Sequence, residues 1–109
     1  MQEAQAILGN GEDWRGLAGD VALAEMLVRA AQGREAEAAD AYQRALAIYQ
    51  QYELRWDESK LYYERGCILA DRGERDAARE LLAEAERRWE AMGAGPYAER
   101  CRQELAELG

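Results

Sequence analysis

The chain repeats itself at a period near 40 residues, and this limits its folding more than any other feature. Setting Gln43–Ala47 over Ala83–Arg87, a shift of 40, places Gly33 on Gly73, Ala38 on Ala78, Ala41 on Leu81 and Tyr42 on Leu82. The same shift places Ala45 on Ala85, Tyr49 on Trp89 and Tyr52 on Met92. Each pair matches in size class or apolar character. A second set of positions agrees, since Trp14, Trp56 and Tyr97, read as aromatics of the connecting loops, lie 42 and then 41 residues apart.

Each period reads as two helices. Gly33 in A-Q-G-R and Gly73 in D-R-G-E mark helix ends, because glycine enters the left-handed turn without a Cβ clash. Beyond them, Ala38, Tyr42, Ala45, Tyr49 and Tyr52 recur at spacings of three and four, as do Ala78, Leu82, Ala85, Trp89 and Met92. Ahead of Gly33, Leu17, Val21, Ala24 and Val28 form the expected core stripe, widened by Leu23 and Leu27. Glu25 and Arg29 lie four apart on the other side, a small stabilising pair. Leu61, Tyr62, Ile68 and Leu69 supply the stripe of the next unit. The pattern predicts a short helical remnant near residues 2–8, then helices near 14–32, 35–53, 56–72, 75–92 and 96–108. Pro96 opens the last in its permitted first turn, and the short connections make neighbours antiparallel.

Composition supports an all-α fold and narrows function. Ala, Leu, Glu, Arg and Gln dominate, all strong helix formers, while β-branched residues are scarce and phenylalanine is absent. The net charge of −8 opposes non-specific nucleic-acid binding, which needs Lys and Arg to neutralise phosphates. No apolar run approaches the ~18 residues of a membrane span, and no basic-then-apolar leader opens the chain, so a soluble, cytoplasmic protein is expected. Cys67 and Cys101 read as reduced thiols in packed or half-packed helical positions.

Catalytic chemistry is hard to assemble from these residues. Histidine is absent, which removes the commonest general base and metal ligand. G-N-G-E-D, Gly9 to Asp13, lacks the lysine and the strand–helix context of a phosphate loop and reads as an interhelical turn. Cys67 has no adjoining base, and Asp71 one turn on disfavours a thiolate. Glu80 and Glu84 share a helical face as surface charge. The trio Trp14, Trp56 and Trp89 is read as structural rather than as a ligand cage. The expectation is no enzyme, no cofactor and no metal.

The order of these residues resembles the tetratricopeptide repeat. That signature runs aromatic, small residue, turn glycine, alanine, large apolar residue, alanine. The second unit carries it as Tyr62, Gly66, Leu69, Gly73, Ala78, Leu82 and Ala85. The first carries its later half as Gly33, Ala38, Tyr42 and Ala45, with Met26 where the small residue belongs and Arg29 for an apolar one. The usual repeat is about 34 residues long. The longer period here, with W-R-G-L-A and R-W-D-E-S opening the first helices, is similar to a bacterial subgroup. Its members form C-terminal arrays of signal-transduction ATPases, maltose-activator-like regulators and multidomain nucleotide cyclases.

That resemblance implies antiparallel hairpins stacked as a right-handed α-solenoid of about five main helices in a single domain, residues 1–109. Residues 1–12 would be the remnant of a preceding helix and its turn, 13–53 and 54–93 the two repeat units, and 94–109 a terminal helix. It implies a non-catalytic scaffold that holds a protein or peptide, as a segment of a larger signalling protein. The alternative is a ligand-sensing array controlling an attached ATPase, cyclase or DNA-binding domain. An idealised structural building block fits less well, because the two units differ too much. In such stacks the first helix of each hairpin lines the inner surface, which places Asp20, Leu23 and Leu27 of the first unit and Lys60, Tyr63, Cys67 and Asp71 of the second toward a partner. A homodimer through the terminal helices, resting on Tyr97, Leu105 and Leu108, is a further expectation.

Overall fold

The computed structural model of the chain describes residues 12–108, and the remnant expected near residues 2–8 lies outside them. Among the described residues there are five helices and no strand: α1 (Glu12–Ala31), α2 (Glu35–Gln51), α3 (Arg55–Asp71), α4 (Arg75–Ala91) and α5 (Gly95–Leu108). The all-α expectation holds. Two details differ from the sequence reading. Glu12 and Asp13, expected in a turn, already belong to α1. The supposed loop aromatics Trp14, Trp56 and Tyr97 lie instead in the first turns of α1, α3 and α5.

One turn geometry occurs four times. The amides of Arg34, Leu54, Glu74 and Ala94 donate to the carbonyls of Arg29, Tyr49, Leu69 and Trp89 at 2.8–2.9 Å. The amides of Gly33, Glu53, Gly73 and Gly93 donate to Ala30, Gln50, Ala70 and Glu90 at 3.0–3.2 Å. This pair of bonds is the Schellman closure, which satisfies helix-end carbonyls through one left-handed residue. The left-handed residues are Gly33 (φ 77°), Glu53 (φ 56°), Gly73 (φ 84°) and Gly93 (φ 78°). They recur every 20 residues, so the 40-residue period is two helix–turn modules of equal length. Helices α2, α3 and α4 each have 17 residues. Position 53 gives no turn signal in the sequence because it carries no glycine.

The described residues divide into two compact units between Asp57 and Glu58. In the first, α1 and α2 run antiparallel, with Gly19 against Tyr49, Glu25 against Arg44 at 3.0 Å and Arg29 against Glu37 at 3.2 Å. A Cβ at Gly19 would lie 2.8 Å from Cδ1 of Tyr49 and closer still to Cε1. The Tyr49 ring is fully buried, and its hydroxyl donates to Asp20 at 2.6 Å. A ring of that size can pack only where the facing helix offers a glycine, and this fixes the rotation of α1. The face turned inward is Gly19, Ala22, Leu23 and Met26. The expected core stripe Leu17, Val21, Ala24 and Val28 is therefore exposed, a correction to the sequence reading.

In the second unit the close approach moves. A Cβ at Gly66 would lie 2.8 Å from Cγ of Leu82, so α3 meets α4 where the resemblance puts its small residue. The equivalent of Gly66 in α1 is Met26, which is itself fully buried. Leu82 is buried, whereas its counterpart Tyr42 is only half-buried. Alanines 38, 45, 78 and 85 are fully buried at matching positions. Beside them, the buried Glu58 carboxylate accepts from the Tyr62 hydroxyl at 2.6 Å and pairs with Arg88 at 3.4 Å, and Arg88 also sits 5.1 Å over the Tyr62 ring. Helix α5 runs back along α4, with Tyr97 5.1 Å from Trp89 and Arg102 3.0 Å from Glu86.

These contacts and turns can be probed by substitution. Gly19→Ala should destabilise the protein by about 1–3 kcal/mol through overpacking against Tyr49, while Gly16→Ala, with nothing near its Cβ, should stabilise by up to ~1 kcal/mol. Urea unfolding of the two variants measures both, and equal effects would contradict the assigned face of α1. Glu53→Gly should stabilise by about 0.5–1 kcal/mol, since relief of left-handed strain outweighs the added freedom of the unfolded chain. Gly73→Ala should cost about 1 kcal/mol.

Candidate functional site

Expected partner-facing residues fall into two groups, one in each compact unit. In the first unit, Asp20 is exposed, and its carboxylate is engaged by the Tyr49 hydroxyl. Leu27 is exposed, whereas Leu23 is buried on the face that α1 turns inward. Spacings of three and four keep these three residues on one side of α1, with Leu23 at its buried edge. In the second unit Lys60 and Asp71 are exposed toward the two ends of α3, and Tyr63 and Cys67 are half-buried between them. Spacings of three and four residues place all four of these on one helical face.

Helix α5 adds to the surface around Tyr63 and Cys67. Burial, followed by the neighbouring carboxylate of Glu104, pushes the Cys67 thiol up to about 11. Burial, followed by Cys67, pushes the Tyr63 hydroxyl up to about 12, with Glu104 acting in the same sense and Arg100 against it. Asp71, given the main role in the sequence reading, contributes least of the causes acting on Cys67. Arg100 and Glu104 thus flank Tyr63 and Cys67 from the neighbouring helix. They are the 40-residue equivalents of Lys60 and Glu64, so a basic–acidic pair four apart recurs on α3 and α5. The sequence reading names Lys60 without Arg100, although the repeat shift points to both.

An aromatic ladder supports this surface from beneath. Trp89 is buried, its ring 6.0 Å from Tyr63 and 5.1 Å from Tyr97 at tilted angles that suit ring quadrupoles. Arg100 lies 5.7 Å from the centre of the Tyr97 ring. Pro96, Tyr97 and Arg100 line an open hollow of about 230 Å³. Trp89 is therefore the support for two surface tyrosines, while Trp56 is exposed in the other unit.

Cys67 and Cys101 are free thiols, and burial followed by Glu86 pushes Cys101 up to about 12. Near neutral pH both thiols and the Tyr63 hydroxyl stay protonated, which suits packing and weak hydrogen bonding rather than nucleophilic attack. Among the described residues no group of three or more His, Cys, Asp or Glu is placed to hold a metal ion, and no helix is long and apolar enough to cross a membrane.

These shifts carry a pH signature. The groups bind their protons more tightly in the folded state, so their contribution is complete below the unfolded thiol value of about 8.5. It is lost as pH rises toward the folded values of about 11 and about 12. Urea midpoints should fall steadily across that window, and Cys101→Ala should flatten the fall. A midpoint independent of pH there would contradict the burial of both thiols.

No family model, curated protein or solved structure matches the chain.

Proposed function

We propose that this chain is a tetratricopeptide-like interaction module that holds a protein or peptide against its first-in-hairpin helices without making or breaking bonds. The observation that carries this reading is the pairing of α3 and α5 in the second unit. Tyr63 and Cys67 from one helix, and Arg100 and Glu104 from the other, act on one another electrostatically across the gap between them. Lys60, Tyr97 and the hollow beside Arg100 extend the same chemistry to solvent. A half-buried and an exposed tyrosine ring over the buried Trp89, interleaved with cations and carboxylates, suit recognition of a chain segment. Tyrosine gives contact area at low entropic cost, and the flanking charges set register. The repeating helix–turn modules support the same family reading, because the 17-residue helices α2, α3 and α4 joined by short turns suit hairpins that stack.

A peptide library displayed against the intact chain tests the proposal. Binders should be recovered and should lose on the order of tenfold or more in affinity for a Lys60→Ala, Tyr63→Ala, Arg100→Ala variant. The variant should keep its helical circular dichroism and cooperative unfolding. Binders indifferent to the triple substitution, or unfolding of the variant, would remove the support for this surface.

A further inference from the structure

The first and last described helices differ in the chemistry of their free sides. At a shift of 40, Val21 is the counterpart of Leu61 and Val28 that of Ile68. Leu61 on α3 is 0% exposed and Ile68 half-buried, yet on α1 Val21 is 59% and Val28 52% exposed. Leu17 is 47% exposed, and Ala24 is exposed between them. Spacings of four, three and four put Leu17, Val21, Ala24 and Val28 in one strip, opposite the face that packs on α2. A surface helix of a soluble fold normally carries apolar residues on one side only. Helix α5 follows that rule: it buries Ala98 and Cys101 and exposes Glu99, Arg102 and Gln103. Arg102 is held there by Glu90 at 2.8 Å and by Glu86 and Glu99 at 3.0 Å.

Charges bordering the α1 strip are already engaged inside the hairpin. Asp20 accepts from Tyr49, and Glu25 pairs with Arg44 at 3.0 Å and with Arg29 at 3.9 Å. Asp20 and Glu25 each therefore keep a hydrogen-bond or ion-pair partner when an apolar surface closes over the strip. A head-to-tail contact of α1 on α5 would instead set the Arg102 cluster against leucine and valine.

We propose that a second copy of this chain covers the strip, α1 against α1 and antiparallel, about a twofold axis between Val21 and Ala24. The strip is complementary to itself in that register. Leu17 meets Val28, and Val21 meets Ala24, so each pair sets a larger side chain against a smaller one. The contact is isologous and closes on itself, giving a dimer and no filament. From Leu17 to Val28 the strip is about 17 Å long, one helix wide. That is well below the ~800 Å² per partner of a standard stable interface, so the dimer is weak and exchanges at micromolar concentrations. This proposal is independent of the α3–α5 surface and of the function assigned to it.

Sedimentation velocity of the intact chain, from low micromolar to near-millimolar, tests it. A reversible monomer–dimer equilibrium is expected, tightening with added salt as repulsion between chains of net charge −8 is screened. Val21→Glu, and separately Val28→Glu, should leave helicity unchanged at these exposed positions and weaken the dimer at least tenfold. Val21→Glu combined with Ala24→Lys should restore it, because the register brings the introduced carboxylate of one copy to the introduced ammonium of the other. Ala106→Glu on the outer side of α5 should have no effect. The proposal is overturned by a monomer at every concentration, which would mean the strip is bare or covered within the chain. It is equally overturned by a dimer that ignores Val21→Glu, that the double variant does not rescue, or that Ala106→Glu disrupts.

Discussion

A backbone that reverses through the same turn every twenty residues has few arrangements open to it. Each turn consumes one left-handed residue and two hydrogen bonds, and it satisfies carbonyls that the ending helix would otherwise leave exposed. The equal lengths of α2, α3 and α4 follow from the regular spacing of that closure, and antiparallel partners within each unit follow from its geometry. Glycine meets the left-handed requirement at residues 33, 73 and 93, and Glu53 meets it with a strained backbone. Neither Arg34 nor Glu74 makes a side-chain cap at the helix start that follows. The turn itself, rather than a capping side chain, delimits these helices.

Within that frame, helix rotation is set by where two backbones can come close. Each compact unit solves the problem once, with a large side chain entering over a glycine. In the first unit Tyr49 packs over Gly19, and in the second Leu82 packs over Gly66. The sites are not equivalent in the repeat, and much of the difference between the units traces to this. With Met26 in the position of Gly66, α1 cannot admit a residue from α2 there, and the contact moves toward the helix start. Polar groups adapt around each contact. The Tyr49 hydroxyl finds Asp20, and the Tyr62 hydroxyl finds the buried Glu58.

The surfaces left over have different characters. On α3 and α5, half-buried thiol and phenol groups sit beside cations and carboxylates, and Trp89 holds the tyrosines from below. Burial extends the protonated range of the Cys67 thiol and the Tyr63 hydroxyl well above neutral pH. On α1, one face packs on α2 while the opposite face is apolar and exposed. Helix α5 turns charged side chains outward and needs no cover.

Much of this was legible in the residues alone. Helical propensity, the spacing of Ala38, Ala45, Ala78 and Ala85, and the glycines at 33 and 73 led to the right helices within a few residues, because backbone preference and turn geometry are local. The 40-residue shift also pairs Lys60 with Arg100 and Glu64 with Glu104, so most of the candidate surface was present in the repeat. Tertiary structure alone decided which way α1 faces. Its sequence is apolar around much of its circumference, so periodicity favoured Leu17, Val21, Ala24 and Val28, while the Tyr49 ring admitted only the face with Gly19. It also decided that Glu104, distant in sequence, acts on Cys67 more strongly than Asp71 one turn away. Local patterns specify helices and turns, but contacts between helices depend on side-chain volumes meeting across a gap, and no spacing rule contains them.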